Sequence, residues 1–358
     1  RQDQDHRDGK YEIAENELLT VIALDPGKGE NRLRLADFYR SIGKSEEIEK
    51  ILLEAHDDLR DNPQITSTLA TFYLENKKYE EAENLYNQLK SEYPDHGETK
   101  LLEARFLLKD GKTKDALLIL QSLSDDYPRW AEPSFFQGLA HFSLGGIDLA
   151  QHSVASAIHK SRTNARYHAL MSKLLHTQEA YEEARDEAAI ALRLEPRNIT
   201  AAILYGNSLI ELKDYDKAVE LYTEVNQQFP GNIEVLEDLA TSYLRLGNLD
   251  KVETIIDEVL VIDPANYQAI IWLIAIKYTN NLSDAELFIR TKIEAIPEDH
   301  RLYLLLGKVL QRQKKMTEAL DAYKQAQKLK PDDVQAYLES ARLLVHLGKK
   351  EDARADFK

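Results

Sequence analysis

Helix-stopping prolines recur along this chain on a clock of 34 residues. Pro26, Pro94, Pro128, Pro196, Pro230, Pro264, Pro297 and Pro331 are separated by 68, 34, 68, 34, 34, 33 and 34 residues. Each interval of 68 spans two periods: Pro63 sits three residues late in the first, and Arg162 holds the proline place in the second. Proline lacks a backbone donor and restrains the residue before it, so a helix ends there. The 34 residues from Ile199 to Asn232 show what lies between two such stops. Ala202, Tyr205, Gly206 and Leu209 share one helical face, and Tyr215, Ala218, Tyr222 and Val225 share another. One hairpin cannot bury two such faces, so each hairpin needs neighbours stacked against it.

Small residues keep the same time. In the first helix of each pair they are Ala36, Ala70, Ala104, Gly138, Ser172, Gly206, Ala240, Gly307 and Ala341. In the second they are Ala14, Ala82, Ala116, Ala150, Ala184, Ala218, Ala285, Ala319 and Ala353, with Ile48 and Val252 as exceptions. Small side chains at these places let two helices approach closely. Gly or a polar pair marks the turn within each hairpin: Gly9, Gly43, Lys77-Lys78, Gly111, Gly145-Gly146, Lys213-Asp214, Gly247, Asn280-Asn281, Lys314-Lys315 and Gly348.

This pattern resembles the tetratricopeptide repeat. That family expects small residues at the eighth and twentieth places, an aromatic or aliphatic residue near the twenty-fourth and proline at the thirty-second. Tyr86, Tyr222, Tyr323 and Phe357 fill the twenty-fourth place, and Tyr303 and Tyr337 come nearest to the family's tryptophan near the fourth. The resemblance implies an all-α fold: a right-handed α-α superhelix, or solenoid, of about nine full hairpins. It implies a single array over 1–358, with full repeats beginning at 29, 63, 97, 131, 165, 199, 233, 267 and 300 and partial repeats at 1–28 and 334–358. The first clear helix is expected at about Lys10 to Leu24. The polar start at Arg1, partway into a repeat, and the end at Lys358 inside a helix lead us to expect a piece of a longer protein.

Two places break the rhythm. The proline is lost around Ser161-Arg162-Thr163-Asn164. The repeat over 267–299 is one residue short and has Ile274 where a small residue belongs, with Lys277 and Lys292 at usually apolar positions. A branched side chain at a close helix contact forces helices apart or shifts their register. A local change of superhelix pitch is expected at these places; a hinge or a partner-specific contact is the sharper alternative.

The net charge of −16 and pI near 5.2 argue against a general binder of nucleic acid or anionic membrane. There is no cysteine, so disulfides and thiolate chemistry are excluded. No apolar run is long enough to span a membrane. Gly111-Lys112-Thr113 is a hairpin turn rather than a phosphate loop, because position 106 is Phe where that motif needs Gly. His152 and His159 lie seven apart on one helix, too little for a metal site, and His141 reads as a packing or groove residue. No residue set supports catalysis, a metal or a cofactor.

By the resemblance, first helices line a concave face. The candidate partner groove is then Arg105, Lys109, Phe135, Leu139, Phe142, Arg166, Lys173, His176, Asn207 and Arg245. Arg105, Lys109 and Lys173 are expected to meet anionic or carbonyl groups, and Phe135 and Phe142, seven apart on one face, to present exposed rings. The Lys, Asn and Arg pattern of a chaperone carboxylate clamp is absent; only Asn207 occupies an Asn slot. The expected role is a non-enzymatic interaction scaffold for a protein segment or polymer, polysaccharide included. The style of array resembles bacterial envelope proteins tied to exopolysaccharide secretion and exosortase-linked sorting. That implies a periplasmic or envelope-associated setting with a lipoprotein signal upstream; the alternative is cytoplasmic. The alternative function is the regulatory or substrate-recruiting region of a larger enzyme.

Overall fold

The computed structural model describes residues 2–278 and 281–355, so the turn expected at Asn280 and the aromatic place at Phe357 lie outside the described residues. It divides into two compact units, Arg1–Asp214 and Tyr215–Lys358, each a stack of helix pairs. A single array was expected; the boundary falls at the hairpin turn of the repeat beginning at 199.

Unit 1 contains α1 (Gln2–Leu24), α2 (Gly29–Ser41), α3 (Ser45–Asp58), α4 (Pro63–Glu75), α5 (Tyr79–Glu92), α6 (Gly97–Lys109), α7 (Thr113–Asp126), α8 (Ala131–Ser143), α9 (Ile147–Lys160), α10 (Ala165–Thr177), α11 (Tyr181–Leu194) and α12 (Ile199–Glu211). Unit 2 contains α13 (Tyr215–Gln228), α14 (Ile233–Arg245), α15 (Leu249–Ile262), α16 (Tyr267–Lys277), α17 (Leu282–Ala295), α18 (His300–Arg312), α19 (Met316–Leu329), α20 (Val334–His346) and α21 (Lys350–Ala355). The described residues form no strand. Helix starts match the repeat frame read from the sequence. One expectation fails: α1 runs unbroken through Gly9, where a turn was expected, and begins well before Lys10. A lone glycine costs a helix only about 1 kcal/mol, and no proline between 2 and 24 enforces a stop.

Local chemistry sets the helix ends. Asn62, Asn164, Asn198, Asn232, Asn266, Asp299 and Asp333 each place a side-chain oxygen on a backbone N–H in the first turn of a first helix. Each hairpin turn needs one left-handed residue. Gly43, Gly111, Gly145, Gly247 and Gly348 supply it with φ between 72° and 79°. Lys77, Glu179, Lys213 and Lys314 are forced into the same region at φ 60° to 64°. The Glu179 turn has no sequence marker.

The small-residue rule is visible in the packing. A Cβ added at Gly138 would lie 2.5 Å from Val154 Cγ2, and one added at Gly307 would lie 2.3 Å from Tyr323 Cε1. Ala82, Ala116, Ala150 and Ala184 in unit 1, and Ala285 and Ala319 in unit 2, are fully buried. Ile274 is buried in a cluster with Ile270, Ala285, Ile289 and Leu302, on a first helix of only 11 residues where the others have 13. Lys277 is not buried apolar surface; it pairs with Glu253. Lys292 donates to the Pro264 carbonyl at 3.3 Å.

Candidate functional site

In unit 1 the first helices form an inner wall. A cavity of about 400 Å³ is lined by residues of α2, α4, α6, α8 and α10 together with Trp130, and by none from a second helix. Arg105 on α6 is at its centre. Its Nη1 donates to Thr71 Oγ1 at 2.6 Å and its Nη2 to Glu75 Oε1 at 3.0 Å. Its guanidinium lies over the Phe136 ring, 4.7 Å from the centroid. Arg166 arrives from three repeats after Glu75 and pairs with the same carboxylate at 3.3 Å while covering Phe135 at 5.0 Å. Burial alone would raise the Glu75 carboxyl, but Arg166, Arg105 and Arg40 outweigh it and hold it below the usual range.

The other wall cations are also paired: Arg34 with Glu30 at 2.6 Å and Arg40 with Asp37 at 2.8 Å. Glu98 and Glu132 differ. Burial lifts Glu98 to about 7; the Ser67 hydroxyl and the Arg105 charge oppose this and the neighbouring Glu132 adds to it. Glu132 accepts the Tyr167 hydroxyl at 2.8 Å. Among the described residues neither carboxylate has an ion-pair partner. The wall of unit 1 is therefore a largely paired lattice of four arginines and five carboxylates, one carboxylate in excess.

The remaining candidates are scattered. Phe135, expected as an exposed ring, is 4% exposed and packs between Phe136 and Tyr167, with centroids 5.2 and 5.0 Å away. It is buried because the next first helix, α10, covers it with Tyr167 and Arg166. Phe142 is half-buried under Lys173, 5.3 Å from its centroid. Lys109 covers Tyr79 at 5.0 Å and pairs with Asp110 at 2.8 Å. Leu139 shares with Lys109 and Arg105 the lining of a separate cavity of about 380 Å³. His176 meets Tyr181 edge-on at 5.1 Å. Asn207 is half-buried on α12. Arg245 is exposed at the end of α14 and belongs to unit 2. Sequence reasoning missed Trp130, which lines the wall cavity from the turn before α8; its one signal is a tryptophan in YPRWA where other inter-repeat turns are polar.

The break at 161–164 is closed by a histidine. His168 is 5% exposed, with Nδ1 2.7 Å from Glu187 Oε2 and Nε2 3.1 Å from the Arg162 carbonyl. A carboxylate and a carbonyl both accept, so this pair of contacts favours the doubly protonated ring. The bond to Glu187 is the main cause that raises the His168 pKa above the ordinary histidine value. Among the described residues no three His, Asp or Glu side chains converge as metal ligands.

A superhelical stack of hairpins with an inner wall of first helices defines an α-solenoid. Family models of the tetratricopeptide repeat match residues 43–105, 73–134 and 209–275, and a second set matches 177–233, 280–334 and 304–358. The chain belongs to the tetratricopeptide repeat family. It is 30% identical over 179 residues to BBSome complex member BBS4 of Bos taurus, an alignment covering 49% of this chain and 33% of that protein. The chain thus matches about a third of that relative's length. Among solved structures it is similar to the APC/C hetero-tetramer Cut9-Hcn1, with TM-score 0.64 and 12% identity over 93% of this chain and 59% of that one. It is also similar to the human IFIT1 dimer with m7Gppp-AAAA, with TM-score 0.50 and 16% identity over 97% and 93% of the two chains. At such identities the likeness carries the fold alone. Repeats of this family make a protein-interaction scaffold, typically a non-catalytic one. No described helix is long and apolar enough to cross a membrane.

Proposed function

We propose that the inner wall of unit 1 receives an extended segment of a partner protein. The observation that carries this reading is the cavity of about 400 Å³ whose lining comes from five successive first helices. Its arginines are already oriented by Thr71, Glu75 and the Phe136 face, so little side-chain ordering is left to occur on binding. Gln64, Thr68 and Thr71 offer donors and acceptors to a peptide backbone along the same wall. A sugar polymer is disfavoured within this proposal, because the Phe135 ring that would stack on it is buried. An envelope setting is the finer part of the proposal; it rests on the style of the array, and fractionation of the native cells tests it.

Thr68 lines the cavity without carrying the core, so Thr68→Trp should plug it. Peptides selected on the parent protein from a displayed random library should lose at least about tenfold in affinity for this variant, about 1.4 kcal/mol. Unchanged affinity would place binding elsewhere.

A further inference from the structure

A second recess of about 590 Å³ adjoins the wall cavity. It is bounded by residues 61–64, 96–98, Tyr127 and Trp130. Gln64, Glu98 and Trp130 line both spaces, so the indole stands where they meet. The indole is fixed there. Its ring meets Tyr127 edge-on at 5.8 Å and 87°. Both rings rest on Gly97, where an added Cβ would come within 3.2 Å of each. A Cβ at Gly97 would oblige the aromatic pair to give by a few tenths of an ångström.

We propose that this joined recess takes a lysine or arginine side chain of the partner segment, held along Trp130 with its charge against Glu98 and Glu132. The inference rests on the reading of the unit 1 wall given above. Charge accounting carries it. Arg34 and Arg40 each pair with one carboxylate and Arg105 and Arg166 share Glu75, so the wall holds five carboxylates against four arginines. Glu98 and Glu132 are the two outside any ion pair, with the Ser67 and Tyr167 hydroxyls beside them and Arg105 and Arg166 acting on them only at longer range. Lys160, close to Trp130, is engaged by the Trp130 carbonyl and by Ser134 Oγ at 3.4 and 2.8 Å. Glu98 and Glu132 are half-buried, and a bound cation would offset the cost of a partly desolvated carboxylate outside an ion pair. The raised carboxyl of Glu98 is the visible sign of it. The indole that lines both spaces beside Glu98 suits an organic cation. Tryptophan is the aromatic side chain that attracts such a cation most strongly.

The chain has two tryptophans, Trp130 and Trp272, so Trp272→Phe leaves Trp130 as the sole reporter. In that background an acetylated, amidated Gly-Arg-Gly-Arg-Gly peptide should change the fluorescence saturably. Its citrulline counterpart, equal in shape and uncharged, should bind about tenfold more weakly. Glu98→Gln with Glu132→Gln should weaken the arginine peptide by a similar factor without loss of fold, since both changes are isosteric. Binding should also weaken from pH 8 to pH 6 as Glu98 takes up its proton. Equal affinity for the citrulline peptide overturns the cationic occupant and leaves the groove reading standing. An affinity untouched by the double substitution, or no saturable change at millimolar peptide, overturns the site. The groove reading itself fails separately, if Thr68→Trp leaves library-selected peptides bound.

Discussion

The ninth place of a repeat carries a cation in both units, with opposite outcomes. Arg105 in unit 1 has a side chain 9% exposed, bonded to Thr71 and Glu75. Lys308 and Arg342 in unit 2 are 47% and 70% exposed and share Glu339 at 3.6 and 3.9 Å. Repeat position is identical; environment is not. In unit 1 the wall curves so that Arg166, three repeats from Glu75, reaches the same carboxylate. A buried guanidinium then depends on its partner, whereas a solvated ammonium does not. The two units also carry one tryptophan each, so their unfolding can be followed separately.

The largest effect expected is on the aromatic floor of the unit 1 lattice. Phe135→Ala should cost about 3–5 kcal/mol, because the ring is buried beneath Arg166 and Tyr167. Denaturant unfolding read at Trp130 checks this. A small loss there would mean the ring is free, as the sequence had suggested. Glu75→Gln should follow at about 3 kcal/mol, since it leaves Arg105 and Arg166 without their carboxylate. The matching change in unit 2, Glu339→Gln, should cost less than about 1 kcal/mol when read at Trp272. Equal losses would break the contrast between the units.

Gly307→Ala should cost unit 2 about 1–3 kcal/mol, because the new Cβ meets the buried Tyr323 ring. Titration separates the units next. Burial raises the Asp238 carboxyl from 3.8 to about 6 against the Tyr222 hydrogen bond. A raised folded value means this group's stability is full below 3.8 and lost as pH rises through about 6. Asp238→Asn should therefore stabilise unit 2 by about 1–2 kcal/mol at pH 7.5 and by nothing near pH 3.5. In unit 1 the raised His168 works in the same direction. Its contribution is full below the unfolded value of 6.5 and lost as pH climbs through the higher folded one. His168→Gln should flatten the loss of unit 1 stability above pH 6.5. The turns offer a change expected to be alike in both units: Lys77→Gly in unit 1 and Lys314→Gly in unit 2 should each raise stability by about 1 kcal/mol.

Much of the fold was legible because its signals are local. Proline stops, small residues at fixed phase and Asn or Asp caps act within a turn or two of themselves, so the repeat frame could be read residue by residue. Gly9 misled for the same reason: glycine marks a turn only when a partner helix follows, and α1 simply continues through it. Glu179 hid because a hairpin turn can force a non-glycine residue into the left-handed region. The candidate groove was legible only in part. Arg105 and Arg166 do come to one wall, but Trp130 stands outside the helical positions from which a groove is read.

The sequence alone determined the hairpins, their starts and the small residues that let helices approach, because each of these is settled by neighbours along the chain. Tertiary structure decided the burial of Phe135, the double pairing of Glu75 and the two carboxylates left outside any ion pair. Those depend on how one repeat is rotated on the next. Small rotations accumulate along the stack, and they bring together side chains that share no periodic relation in the sequence.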